Sequence, residues 1–148
     1  MRVIVTILLQ AICCTVLAAN AVSLSVFEKE ELESFKSELK RFGIRAPFFE
    51  PAAHVSHSIN ASFTNYIIGK DLLESKKFHI QLFGGSRWFI SRQVYAVAIC
   101  DEYVKKTVTL GFSKDVSSAL EEPILVYDGQ GCFIRARYNL NGEYLGSF

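Results

Sequence analysis

Residues Arg92–Cys100 read Arg-Gln-Val-Tyr-Ala-Val-Ala-Ile-Cys, and from Val94 onward the only polar side-chain group is the phenol of Tyr95. Side chains alternate between the two faces of a β-strand, so both faces of this segment are apolar. A strand with two apolar faces usually lies inside a sheet that is covered on both sides. The sequence therefore predicts a small sheet built around residues 94–100, with small side chains on one face that leave room for a helix.

The first 21 residues have the features of a secretory signal peptide. A basic Met1-Arg2 start precedes the apolar run Val3–Leu17 and the small-x-small sequence Ala19-Asn20-Ala21. The run is shorter than the roughly 20 residues that span a bilayer, which argues against the alternative of a membrane anchor. We expect cleavage after Ala21 and a secreted product with no membrane association after processing.

Charge and cysteine content limit the function classes. The 16 basic and 15 acidic residues nearly balance, which is not typical of a nucleic-acid binder driven by electrostatics. Cys13 and Cys14 lie in the signal peptide, so Cys100 and Cys132 are the candidates for one disulfide, the alternative being two buried thiols. Two cysteines are too few for a structural zinc site, and we expect neither a metal nor a cofactor.

Ser25–Phe42 predicts one amphipathic helix. Ser25 and Glu28 match a capping box, and Gly43 is suited to end the helix. The apolar side chains at helical spacing are Leu32, Phe35, Leu39 and Phe42. This stripe fits packing on the sheet or, alternatively, docking onto a partner.

The remaining chain predicts a second helix followed by strands. Residues 46–60 suggest a linker or long loop that ends in the glycosylation sequon at Asn60. A helix is expected over Phe63–Lys77. We expect a turn at Gly84-Gly85-Ser86, a helical turn at Val116–Leu120, and strands over residues 78–83, 94–100, 106–112, 124–127, 132–138 and 143–148. The order indicates an α+β fold, with one or two helices packed on an antiparallel meander.

Few residues suggest chemistry. His79 lies on the strand predicted for residues 78–83, where it is either a general base or an ordinary half-exposed strand histidine. The central strand offers it no facing acid or base. The sequence contains no Gly-x-Ser-x-Gly motif, phosphate-binding loop or dinucleotide fingerprint. We therefore expect no catalytic residues.

One strand carries a candidate binding surface. Phe133, Arg135 and Arg137 share a face of the strand predicted for residues 132–138. Such a set can hold a phosphate and stack a base, form a hot spot for protein binding, or be an ordinary exposed face. Arg87, Trp88 and Arg92 extend it if the first turn folds toward it, and His79 is a further candidate for the binding surface.

The segments Lys77–Ser86, Val94–Ile99, Ile124–Asp128 and Phe133–Tyr138 resemble, in spacing and apolar positions, the guanyl-specific fungal ribonuclease fold. The resemblance is closest to the ribonuclease-like secreted effectors of powdery mildew fungi. It implies a ribonuclease-like domain over residues 63–148, preceded by a helix-and-loop extension over residues 22–62.

The resemblance also implies loss of catalysis. Where the active enzymes have a glutamate in the central strand, this chain has Ala96, and their later histidine corresponds to Tyr138 or Asn139. Their arginine falls at Pro123 or Ile124. His79 matches their first-strand histidine only after a one-residue shift, which turns it to the other face.

The function implied is that of an inactive ribonuclease-like effector, a virulence factor that modulates immunity by binding a host protein or immune receptor. RNA is a second class of partner. We expect a secreted monomer that can be translocated into the host cell. Two alternatives stay open: an active secreted ribonuclease that uses His79 with Arg135 or Arg137, and a small ligand-binding β-protein with a cavity under its sheet.

Overall fold

The computed structural model describes residues 21–69, 77–87, 91–126 and 131–148. These residues form a mixed six-stranded sheet and five helices, which is the α+β class predicted. In chain order the elements are β1 (Ala21–Val26), α1 (Lys29–Ser34), α2 (Lys36–Arg41), β2 (Arg45–Phe49), α3 (Ala53–Gly69), β3 (Phe78–Arg87), β4 (Ser91–Cys100), α4 (Asp101–Thr109), α5 (Val116–Ala119), β5 (Phe133–Tyr138) and β6 (Tyr144–Gly146).

The sheet has the strand order β1-β3-β4-β5-β6, and β2 also pairs with β3. β1 lies beside the first half of β3 and β2 beside its second half. All pairs are antiparallel except β1 with β3, which is parallel. The predicted antiparallel pairing is therefore correct for β3 to β6, whereas β1 was not predicted as a strand and pairs in parallel. Parallel pairing is possible there because a long crossover through α1, α2, β2 and α3 separates the two strands.

The central strand is confirmed. β4 lies between β3 and β5, and its residues from Val94 to Cys100 are buried. One face packs with α3, through the side chains of Val94, Ala96, Ala98 and Cys100. The other face, with Tyr95, Val97 and Ile99, packs with side chains from α1, α2, α4 and α5. The sheet therefore has a hydrophobic core on each side.

The helix predicted over Ser25–Phe42 begins later and is divided at Phe35 into α1 and α2. Ser25 belongs to β1, because residues 22–26 alternate apolar and serine side chains, a strand pattern. The capping box uses Glu28 and Glu31 instead. The apolar stripe is correct: Leu32 and Leu39 are fully buried, and its two phenylalanines pack against the same cluster.

The loop predicted for residues 46–60 is wrong, since β2 and the start of α3 occupy most of it. Pro51 precedes α3 by two residues, where a missing N–H leaves no helical hydrogen bond unmade. The helix predicted over Phe63–Lys77 is correct as far as Gly69, and residues 70–76 lie outside the described residues. The predicted division between extension and domain at residue 62 falls inside α3, and β1 and β2 both pair with β3.

Three strand-and-turn predictions after residue 78 are wrong. Gly84-Gly85-Ser86 is not a turn but part of β3, paired with residues 92–94. Residues 101–109 form α4, where a strand was predicted from residue 106. Acidic side chains in its first turn and a lysine in its last favour the helix. Residues 124–126 form no strand, and Tyr127 lies outside the described residues. The helical turn is confirmed as α5, and the last two strands as β5 and β6.

The predicted cysteine pair is confirmed. Cys100 at the end of β4 and Cys132 just before β5 form a disulfide with Cα atoms 4.9 Å apart. The backbone N–H of Cys100 also donates to the carbonyl of Cys132 over 2.9 Å. Of the helices described, none combines the length and apolar character needed to cross a bilayer.

Candidate functional site

A hydrogen-bonded chain of Ser23, His79 and Asp101 is the most chemically distinctive arrangement in the described structure. Ser23 Oγ lies 2.7 Å from His79 Nδ1, and His79 Nε2 lies 2.8 Å from Asp101 Oδ1. Parallel pairing sets Ser23 opposite His79 across β1 and β3. α4 begins directly after β4, and the backbone N–H of Asp101 donates to the carbonyl of Lys77 over 2.8 Å. Three elements thus bring the three side chains together.

Asp101 has a second partner that fixes its charge. Lys105, one turn later on α4, places Nζ 2.6 Å from Asp101 Oδ2. The hydrogen bond from Lys105 lowers the pKa of Asp101 most; burial opposes it, and the bond from His79 adds to the lowering. An ionised carboxylate only accepts hydrogen bonds, so His79 Nε2 carries the hydrogen. With the imidazole neutral, Nδ1 is then the acceptor, and the Ser23 hydroxyl donates to it.

His79 is buried, with 2% of its surface exposed, and is not the half-exposed strand histidine considered from the sequence. It does face an acid, which comes from α4 and not from the central strand. The pairing of β3 with β4 could have indicated Asp101 as the partner of His79. Phe78 pairs with Cys100, so Asp101, which follows Cys100, must lie near the start of β3. Ser23 could not be found without β1.

Ser23 is half-buried and lines a cleft of about 320 Å³. The cleft lies between β1, the start of α1 and the α5 region. The described residues that line it include two carboxylates and no lysine, arginine or histidine. Ser25 is a further polar residue of the cleft. The two carboxylates belong to Glu31 and Glu121, and Val26, Phe27 and Leu120 supply apolar surface. A small acidic cleft with apolar walls therefore opens beside the serine.

Gln81 holds the segment after α5 against the sheet. It is fully buried, its Nε2 donates to the carbonyl of Glu122 over 2.9 Å, and its Oε1 accepts from the N–H of Ile124 over 2.8 Å. The side chain thus satisfies the backbone of the segment after α5. Residues 124–126 are therefore held against the sheet without forming the strand predicted from the sequence.

The predicted binding side chains on β5 pack within the protein. The guanidinium of Arg135 lies 5.6 Å from the ring centre of Phe42 and 5.4 Å from that of Phe148. Arg137 Nε donates to the carbonyl of Ser147 over 3.2 Å. Phe133 meets Tyr103 edge to face, with ring centres 4.7 Å apart.

His79 and the β5 arginines do not form one site. They point to the same face of the sheet, but β4 lies between β3 and β5. Two strand spacings correspond to roughly 10 Å, and the fully buried Val97 and Ile99 fill the space between them. Arg87 is half-buried at the end of β3, and Trp88 lies outside the described residues.

Tyr95 is a buried group with an unusual environment. Its hydroxyl has no hydrogen-bond partner within the described residues. Burial raises the pKa of Tyr95, and the positive charges of Arg87 and Arg137 partly oppose this. The phenol is therefore kept neutral beside two cations, and its ring stacks on Phe83 with ring centres 5.9 Å apart.

A second concave surface lies between α2 and β2. This α2–β2 groove has a volume of about 400 Å³. Lys36 and Lys40 lie one turn apart on α2 and face it with Arg45 of β2, while Ile44 and Phe48 supply apolar surface. None of the described residues that line it carries a carboxylate. The groove therefore concentrates positive charge on a chain whose total charge is nearly balanced.

The glycosylation candidate Asn60 lies on α3 and is half-buried. Its Oδ1 is buried with no hydrogen-bond partner among the residues described. No group of three or more histidine, cysteine, aspartate or glutamate side chains suited to a metal occurs in the described ranges.

No protein-family model, curated protein or solved structure matches the chain. The chemistry and charge of the two clefts therefore carry the functional argument.

Replacing Asp101 by asparagine should destabilise the protein in a pH-dependent way. The folded state lowers the pKa of Asp101 below the ordinary 3.8, so its stabilisation is present above about pH 4 and is lost as the pH falls through the lower folded value. We expect the variant to lose about 2 kcal/mol at neutral pH, the usual range for a hydrogen-bonded charge. Denaturant unfolding from pH 7 to pH 2.5 measures this. A difference from wild type that stays constant over that range would contradict it.

Proposed function

We propose that this protein acts by binding another protein, and that the α2–β2 groove is the contact surface. The observation that supports the proposal is the lining of the groove, where Lys36, Lys40 and Arg45 surround apolar surface and no carboxylate occurs among the lining residues that the structure describes. Its volume of about 400 Å³ is within the range of clefts that hold ligand groups. Such a groove suits a partner segment that has acidic side chains next to an apolar anchor.

The charge of the groove favours a partner segment with acidic side chains. Lys36 and Lys40 are exposed, and their one-turn spacing presents two ammonium groups along one side of the groove. Because the whole chain carries a formal charge of only +1, attraction to an acidic segment comes from the groove and not from the net charge. Ile44 and Phe48 favour an apolar side chain between the acidic groups.

Binding is favoured over ribonuclease activity by the placement of the corresponding positions. Ala96 and Tyr138 are buried in the core that packs against α3, whereas His79 lies on the opposite face. Arg135 and Arg137 are engaged with aromatic rings and a backbone carbonyl. The positions that correspond to the ribonuclease residues therefore lie apart among the described residues, which supports binding over RNA cleavage.

The resemblance to ribonuclease-like secreted effectors suggests that the partner is a host protein involved in immunity. We propose that the protein is secreted after cleavage of its signal peptide and acts as a monomer, in the host cell if it is translocated there. The alternative of a β-protein with a cavity under the sheet has less support. Both clefts described above open at the surface, and both faces of β4 carry buried side chains.

Charge reversal in the groove tests the proposal. Phage-displayed random peptides panned against the purified protein should enrich acidic sequences with an apolar residue. Lys36→Glu with Lys40→Glu should weaken binding of the enriched peptides at least about tenfold, since a loss of about 1.4 kcal/mol changes affinity by that factor. The matched control is Lys106→Glu with Lys114→Glu, which changes the net charge equally on exposed residues outside the groove. The control should bind like wild type.

Two results would contradict the proposal. If both double variants lose binding equally, the attraction is a general effect of charge. If the purified protein cleaves RNA and the cleavage disappears in His79→Ala, the protein is a ribonuclease and not a binding protein derived from one.

A further inference from the structure

The hydrogen-bonded chain at Ser23 has no part in the α2–β2 groove. We propose that Ser23 is a nucleophile that accepts the acyl group of a neutral ester bound in the adjacent cleft. In this reaction His79 is the general base, and Asp101 orients His79. This activity is additional to the proposed binding function and does not depend on it. It uses β1, β3 and α4, whereas the groove is formed by α2, β2 and the residues between them.

The direction of the hydrogen bonds suits this role. His79 Nε2 lies 2.8 Å from Asp101 Oδ1, and His79 Nδ1 lies 2.7 Å from Ser23 Oγ. In the neutral tautomer with the hydrogen on Nε2, the carboxylate accepts from Nε2–H and Nδ1 is free to accept from the Ser23 hydroxyl. A nucleophilic serine needs a base within hydrogen-bond reach and a third group that orients the base. Burial of His79 to 2% exposure leaves Ser23 as the member of the set that lines the cleft.

The reaction balances within these groups and water. Ser23 Oγ forms a bond to the carbonyl carbon of the ester, and its proton passes to His79 Nδ1, which makes an imidazolium stabilised by the Asp101 carboxylate. Collapse of the tetrahedral adduct breaks the bond to the leaving alcohol, which takes the proton from His79. Water then attacks the acyl-serine with His79 again as base, releasing the acid and restoring the hydroxyl.

The cleft limits the class of substrate. Glu31 and Glu121 line it, so an anionic ester is repelled and a neutral or cationic one is accepted. Val26, Phe27 and Leu120 provide apolar walls in a volume of about 320 Å³. These features fit a short apolar acyl group.

The strand itself contains a matched control. Ser25 lies on the same face of β1 and lines the same cleft. It is paired with Gln81, whose side chain is bonded to backbone groups, so Ser25 has a neighbouring amide where Ser23 has an imidazole. Selective reaction at Ser23 over Ser25 therefore reports the effect of His79 and not the accessibility of the cleft.

Labelling with a neutral fluorophosphonate tests the proposal, because the serine oxygen replaces fluoride on phosphorus by the same proton transfer to His79. Peptide mass spectrometry of the purified protein should find one adduct, on Ser23 and not on Ser25. Asp101→Asn should slow labelling at least about tenfold, and Ser23→Ala should abolish it. Hydrolysis of p-nitrophenyl acetate should fall in the same order, and a carboxylate-bearing ester should react more slowly than the neutral one.

Circular dichroism and a retained disulfide establish that each variant is folded. His79→Gln serves as a second test of the base if it folds; if it does not, the comparison of Asp101→Asn with wild type carries the test. No adduct at Ser23 in the folded protein, equal labelling of Ser23 and Ser25, or an unchanged rate in a folded Asp101→Asn would each overturn the proposal. None of these results would alter the peptide-binding test of the groove.

Discussion

Replacing Cys100 and Cys132 together by alanine is expected to lower the free energy of unfolding by about 3–4 kcal/mol. The disulfide joins residues 32 positions apart, and closing a loop of that size removes this much conformational freedom from the unfolded chain in the chain-entropy model. The link joins the end of the most buried strand to the start of its neighbour β5. Guanidinium-induced unfolding, followed by circular dichroism, gives the two free energies.

A reducing agent supplies the control for this experiment. Reduction should lower the stability of the wild-type protein to near that of the double variant, whose own stability should not respond. Equal unfolding midpoints for the oxidised wild type and the double variant would show that the disulfide adds nothing to the stability of the sheet.

The central strand and the disulfide could be predicted because each leaves a signal that needs no knowledge of the rest of the fold. β4 is covered on both faces, so its sequence is an almost unbroken apolar run. Only Cys100 and Cys132 lie beyond the predicted signal peptide, so a disulfide between them was one of two possibilities. In both cases burial or chemistry limits the choice to very few residues.

β1 could not be predicted in the same way. Its alternating residues directly follow the apolar run that is predicted to be a signal peptide, and its partner β3 lies more than fifty residues later in the chain. Nothing local to residues 21–26 indicates parallel pairing. The prediction of a strand in place of part of α4 was wrong for another reason. The alternating residues Thr107, Val108 and Thr109 fit a strand, whereas the charged ends of the segment and the burial of Val104 favour a helix.

The candidate site was missed because its members come from three distant elements. Ser23 and His79 are 56 residues apart, and His79 and Asp101 are 22 apart. The central strand offers His79 no acid, and the acid comes instead from α4, the helix that follows it. The buried Gln81 shows the same effect, because its partners lie about forty residues later. Long-range hydrogen bonds of this kind leave no periodic pattern in a sequence.

Replacing Gly84 by alanine is expected to destabilise the protein by about 3 kcal/mol, at the upper end of the cost of overpacking a core. A Cβ atom there would lie 2.5 Å from ring carbons of Phe49 and closer still to its carbonyl oxygen. The carbonyl oxygen belongs to the backbone of β2, so relief of this contact requires the strand itself to shift. Glycine in this strand thus permits the close approach of β2 to β3 and is not the mark of a turn.

Gly111→Ala separates this steric effect from the general cost of replacing a glycine. Gly111 has a φ of +79° and nothing within 4 Å of the added carbon, so its substitution should cost about 1 kcal/mol through backbone strain alone. Hydrogen exchange should then show faster opening of β2 in Gly84→Ala and unchanged exchange there in Gly111→Ala. If the two variants prove equally stable, β2 yields to the added methyl group, and the fit of Phe49 against Gly84 does not hold that strand in the sheet.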